Sequence, residues 1–186
     1  MLQVLRQHIE QLISLTDDEF EVVAAHFQEK RIKKHRFLVQ EGEAVSCEFF
    51  VVQGLVKTFH SDANGKEHIV AFAKEEWWVS DYQAYHTQSA ATLNVDCLED
   101  TDVLCLSYTD REHLLSKVKK MESFFLKKSN YGYIALQRRI LGLLSSSAKE
   151  RYEQFLQQYP GLVSRIPKTV IAAYLGVSRE TLSRLS

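Results

Sequence analysis

From Ile166 to Ser186 the chain admits essentially one local architecture, a helix, a glycine turn and a second helix. Pro167 suits a first helical position, where its missing N–H costs nothing, and Ile171, Ala172 and Leu175 then share one face at helical spacing. Gly176 can take the left-handed conformation that ends the first helix, and Ser178 can cap the next. The second helix then opens on Arg179 and Glu180, with Arg184 on the face of Glu180.

In a helix-turn-helix unit the first turn of the second helix enters the major groove of DNA. A fork-shaped donor suits a guanine edge and a carboxylate suits a cytosine amine, so Arg179, Glu180 and Arg184 are the candidate base readers. The competing reading is a capped surface helix with solvated charges. Agreement in register of helix, turn, cap and Arg/Glu pair favours the DNA reading.

Net charge is −1, which by itself argues against a nucleic-acid binder, but its distribution is uneven. Residues 1–110 carry 9 Lys/Arg against 19 Asp/Glu, net −10, and residues 111–186 carry 14 against 5, net +9. An acidic body followed by a basic one suggests two modules, the second suited to phosphates. Lys117, Lys119, Lys120, Lys127, Lys128, Arg138 and Arg139 read as charges solvating a long helix; Arg165, Lys168, Arg179 and Arg184 surround the motif itself. A hydrophobic content of 45% in 186 residues allows a proper core. Neither a membrane-length apolar run nor a secretory signal is present, so a cytoplasmic protein is expected. Cys47, Cys97 and Cys105 lack metal-binding spacing and read as small hydrophobes, with no metal expected.

Residues 2–14 and 17–30 read as short amphipathic helices, the second opening on Thr16-Asp17-Asp18-Glu19. From Lys33 the period changes. Short β-rich runs follow around Phe37, Phe49–Val52, Leu55–Phe59 and Ile69–Phe72, then at Leu93–Leu98 and Val103–Ser107, with Asn64-Gly65 as the best hairpin signal. Such spacing favours an antiparallel roll. After Asp110 the pattern stays helical. Leu126, Tyr133, Leu136, Ile140 and Leu143, with Ser129 filling one step, form a coiled-coil seam, with Ile134, Leu141 and Leu144 as a second apolar face. One face can pack on its own domain and the other on a twin helix, which predicts a homodimer; the alternative is an intramolecular core helix. Ser145-Ser146-Ser147 is the expected hinge, and a further helix from Ala148 to Tyr159 stops at Pro160-Gly161.

In this order, and with Glu41-Gly42-Glu43, Val52-Gln53-Gly54-Leu55-Val56, Asn64-Gly65-Lys66-Glu67 and Leu175-Gly176-Val177-Ser178-Arg179-Glu180-Thr181, the chain resembles the Crp/Fnr family of bacterial transcription factors. Glu150-Arg151-Tyr152, Phe155-Leu156 and Arg165-Ile166-Pro167 further resemble a branch common in Bacteroidetes. The resemblance implies an α+β chain: an antiparallel β-roll of the double-stranded β-helix or jelly-roll type over 1–110, a long dimerisation helix and hinge over 111–147, and an all-α helix-turn-helix domain over 148–186. It implies a non-enzymatic regulator that binds double-stranded DNA as a homodimer and engages RNA polymerase. It places Lys168, Thr169, Ser178 and Thr181 at phosphate-backbone positions. The family's β-hairpin wing has no counterpart before Ser186.

The family's cyclic-nucleotide cassette, Gly-Glu-Leu and then Arg-Ser-Ala, maps here to Ser80-Asp81-Tyr82 and about Ala91-Thr92-Leu93, and no lysine or arginine occurs between Lys74 and Arg111. A buried phosphate without a cationic partner is costly, so cyclic AMP is not the expected effector. Trp78, Ser80, Asp81, Tyr82, Ala91 and Thr92 are the candidate pocket for some other small molecule; alternatively the local aromatics simply fill the roll. Two other classes compete. A cupin-type enzyme would need converging histidines, and His60, His68 and His86 include no His-x-His pair. A kinase or channel module would leave the C-terminal unit unexplained.

Overall fold

A computed structural model describes residues 1–185. The chain divides into two compact units, residues 1–60 with 71–128, and residues 61–70 with 129–186, of which Ser186 lies outside the described residues. Two short helices lead, α1 (Leu2–Glu10) and α2 (Asp17–Ala24). Thr16 starts α2 with a reciprocal capping box, accepting from Glu19 N while its own N–H donates to the Glu19 carboxylate. Eight strands follow: β1 (Phe27–Ile32), β2 (Phe37–Val39), β3 (Cys47–Gln53), β4 (Val56–Ser61), β5 (Glu67–Ala73), β6 (Trp78–Val79), β7 (Asn94–Cys97) and β8 (Thr101–Ser107), with helix α3 (Tyr82–Thr87) between β6 and β7. They form two four-stranded sheets, ordered β1-β8-β3-β6 and β2-β7-β4-β5, an open antiparallel roll.

The sheet β1-β8-β3-β6 is covered on both faces. Val51, Val103 and Cys105 point into the core shared with the other sheet; their neighbours Phe50, Leu104 and Leu106 point into a second core under α1, α2 and the helices after β8. Period-2 alternation thus places apolar residues on both sides, which is why Val103-Leu104-Cys105-Leu106 is apolar without interruption. Gly54 turns β3 into β4 at φ +108°, and a Cβ there would lie 2.6 Å from Thr101 Oγ1 and 2.8 Å from Asp100 O, so only glycine fits the approach.

The structure departs from the sequence reading at several places: α1 ends at Glu10 rather than at residue 14, and β6 and α3 stand where the sequence reading gives no element. Residues 27–30 are strand rather than helix. Gln28, Glu29, Lys30 and Arg31 are adequate helix formers, but six-residue pairing of β1 with β8 overrides that propensity, and the charges sit on an exposed sheet edge. The helical stretch after Asp110 is broken: α4 (Tyr108–Lys117) is capped by Ser107, and α5 (Lys120–Ser145) begins after Val118 leaves helical geometry and buries its side chain. Pro167 is the cap rather than the first helical residue of α7 (Lys168–Leu175).

The second unit holds the later part of α5, then α6 (Ala148–Gln158), a single 3-10 turn at Leu162–Ser164, α7 and α8 (Arg179–Leu185). Ser147 starts α6 with another capping box, accepting from Glu150 N. Phe155, Tyr159 and Tyr174 pack as an aromatic trio at centroid distances of 5.3–5.9 Å, joined by buried Leu162, Ile166, Ile171, Leu175 and Leu182.

Candidate functional site

The helix pair α7–α8 forms for the local reasons that the sequence suggests. Gly176 ends α7 at φ +67°, its N–H and that of Val177 returning to Ala172 and Ala173 carbonyls. Ser178 Oγ accepts from Thr181 N at 3.1 Å, starting α8, and meets Thr181 Oγ1 at 3.2 Å. Leu182 fixes the inner face of α8, leaving Arg179, Glu180 and Arg184 exposed on its outer side. Arg184 Nε reaches Glu180 O at 3.4 Å, and hydrogen bonds from the Glu180 N–H and Ser178, with both arginines near, hold the Glu180 carboxyl below the usual carboxylate range. Lys168 and Thr169 are exposed at the start of α7; Ser178 is exposed and Thr181 half-buried, both hydroxyls serving the cap.

In the roll, Asp81 organises the segment that maps to the nucleotide cassette. It is 1% exposed and N-caps α3: Oδ1 accepts from Ala84 N at 3.1 Å, while Oδ2 accepts from Thr92 N at 2.7 Å, Thr92 Oγ1 at 3.0 Å and Leu93 N at 3.0 Å. Burial raises its pKa, but these four donors outweigh burial and the net direction is downward. Asp81 and Thr92 are therefore joined directly. Ser80 is buried with its hydroxyl donating to Cys47 O at 2.9 Å, and Ala91 lies in the core between the sheets. Trp78 faces the other core: Nε1 donates to His8 Nε2 at 3.2 Å, and its ring packs among Phe27, Phe50, Phe124 and Phe125. Burial lowers the His8 pKa and so favours the neutral ring that can accept this bond. Tyr82 is 38% exposed and stacks on His86. Of the six pocket candidates, only Asp81 and Thr92 share a hydrogen bond.

Sequence reasoning missed a charged box beside this segment. Lys128 of α5 donates to Glu48 of β3, and its ammonium lies 4.0 Å from the Trp78 ring centroid, 5.2 Å from Phe125 and 5.3 Å from Tyr82. Arg111 Nε stands 3.7 Å from the other Glu48 oxygen and its guanidinium 4.7 Å over Phe125. Glu48 is 1% exposed. Lys128 is thus no solvating charge, and Arg139, which stacks 3.7 Å over Tyr174 and donates to its carbonyl, is not one either. No local signal marks either residue, since Lys128 lies 80 positions from Glu48 and Arg139 lies 35 from Tyr174. The seam residues of α5 remain uncovered within the chain, Leu126, Tyr133, Leu136, Ile140 and Leu143 being 47–69% exposed. The second face is exposed too; α5 meets its own unit through Arg139 and Gly142 rather than Ile134, Leu141 and Leu144. His60 is exposed, His68 pairs with Asp62 and His86 lies among Tyr82, Tyr85 and Tyr108.

Residues 29–118 match the family described as the cyclic nucleotide-binding domain. The matched residues run from β1 through α4. No curated protein sequence matches the chain. Among solved structures, FixK2 from Bradyrhizobium japonicum is similar over 86% of this chain and 82% of its own, with 20% identity and a TM-score of 0.74. The c-di-GMP-responsive global regulator CLP of Xanthomonas campestris is similar over 91% and 89%, with 13% identity and a TM-score of 0.71. A protein of Eubacterium rectale assigned to the Crp/Fnr transcriptional regulators is similar over 92% and 82%, with 14% identity and a TM-score of 0.71. The nucleotide-domain roll, the long helix and the C-terminal helices of this chain together have the Crp/Fnr fold. Among the described residues no helix is long and apolar enough to cross a membrane.

Proposed function

We propose that the chain is a DNA-binding transcriptional regulator of the Crp/Fnr type, acting as a homodimer on an inverted-repeat operator. The observation that carries this reading is the pair α7–α8, held by a left-handed glycine and a serine cap, with Arg179, Glu180 and Arg184 turned outward. In this reading those three contact base edges, and Lys168, Thr169, Ser178 and Thr181 contact phosphates. The uncovered seam on α5 is the dimer contact, and two units related by a two-fold axis meet half-sites about 34 Å apart. Functionally the sensor extends over 1–110, the dimer helix and hinge over 111–147, and the DNA-binding domain over 148–186. The Asp81 hydrogen bonds support a sensor that does not take cyclic AMP: the N–H groups of Thr92 and Leu93, at the mapped phosphate position, already face an internal carboxylate.

Selection of bound sequences from random DNA tests the reading. The wild-type protein is expected to return an inverted repeat, and Arg179→Ala to lose preference at one base pair in each half-site, about 1–3 kcal/mol of discrimination. Identical motifs from both proteins would remove α8 as the base reader.

A further inference from the structure

Within the second unit, α5, α6 and the C-terminal end of α7 enclose a cleft of about 580 Å³, within the range of small-molecule sites. Arg138, Arg139 and Arg151 all line it, and among the described residues no Asp or Glu does. Arg139 and Arg151 donate only to neutral carbonyls: Arg139 to Tyr174 O, and Arg151 from Nε to Leu175 O at 3.0 Å and from Nη1 to Ser146 O at 2.6 Å. Arg138 is exposed, and none of the three makes an ion pair among the described residues. Carbonyls use some of the donors but carry no net charge, so the cleft keeps three positive charges against walls that include the Phe155 and Tyr174 rings and the Gln154 amide. At its floor α5 and α6 come close, a Cβ on Gly142 lying 2.9 Å from Gln154 Oε1.

Part of the cleft wall on α5 lies opposite the seam. Arg138, Gly142 and Ser145 each follow a seam residue, Leu136, Ile140 or Leu143, by two positions, about 200° around a helix, whereas Arg139, three residues after Leu136 and four before Leu143, flanks the seam.

We propose that this cleft binds a phosphate-bearing small molecule, gripped by Arg138, Arg139 and Arg151. Guanidinium forks match phosphate oxygens, and three of them in one cleft suit a multiply charged anion over a monocarboxylate. Such a ligand competes with the Tyr174 and Leu175 carbonyls for two of these arginines, and those carbonyls end the first helix of the helix-turn-helix. Occupancy would therefore loosen α7 from α5 and α6.

The test is calorimetric titration of the full chain with inorganic pyrophosphate at constant ionic strength, with sodium acetate as the control anion and no DNA present, so that its outcome is independent of DNA reading. Expected is one pyrophosphate per chain with a submillimolar Kd, weakened about tenfold or more by Arg138→Gln, whose exposed side chain makes no hydrogen bond or ion pair among the described residues. Lys168→Ala and Arg184→Ala, in the α7–α8 pair, should leave the affinity within about twofold. Absence of saturable binding, full affinity in Arg138→Gln, or loss of binding in Lys168→Ala or Arg184→Ala would each overturn the site, the last by moving the anion to the α7–α8 surface.

Discussion

Asp81→Asn isolates how much the cassette depends on its internal carboxylate. The amide oxygen can keep the bond from Ala84 N, but its NH2 group then faces three donors that now meet Oδ2: Thr92 N, Thr92 Oγ1 and Leu93 N. The Thr92 hydroxyl can rotate away. The two backbone N–H groups cannot, and at about 1–3 kcal/mol for each stranded buried donor the loss is about 2–6 kcal/mol. A loss near 3 kcal/mol would lower Tm by roughly 6–12 °C for a chain of this size. Urea unfolding followed by the fluorescence of Trp77 and Trp78 measures it. The pH dependence supplies the sign. Because the folded pKa of Asp81 is depressed, its contribution is complete above the unfolded carboxylate pKa of about 3.9 and disappears as pH falls through the folded value, so the gap between wild type and Asn should be full at neutral pH and close in acid. A difference under about 1 kcal/mol at pH 7, or a gap that widens in acid, would refute the assignment of this carboxylate as the anchor of residues 91–93.

Three further outcomes are expected. Glu48→Gln should cost about 3–5 kcal/mol, because it leaves the Lys128 ammonium buried among rings, and Glu48→Gln with Lys128→Met should recover part of that loss in the same urea assay; additive losses would show that the two do not act as a pair. Leu136→Lys with Ile140→Lys should give monomers in sedimentation velocity, since both seam positions would carry like charges, and an unchanged sedimentation coefficient would contradict the seam. Cys47, half-buried and accepting from Ser46 Oγ at 3.6 Å, with its pKa lowered chiefly by the neighbouring Cys105 thiol, should react with iodoacetamide at pH 7 at least about tenfold faster than the buried Cys97 and Cys105 thiols, as mass spectrometry of the peptides would read.

Much of the molecule is legible in its sequence where a short stretch settles its own conformation. Gly176, Ser178 and the Arg179-Glu180 pair give the α7–α8 pair because turn, cap and first helical turn lie within a few residues of one another. The capping box at Thr16 and the seam spacing on α5 are local in the same sense. What only the tertiary structure decides rests on partners far apart in the chain. Gln28 to Arg31 become strand because β8 is there to pair with them, and Asp81 becomes an internal ligand because residues 92 and 93 return to it. Lys128 and Arg139, surface charges by pattern, are drawn inward by Glu48 and Tyr174. Helix propensity, caps and period act over one or two turns, whereas burying a charge depends on whichever group the fold brings against it, and that is written at no single place in the sequence.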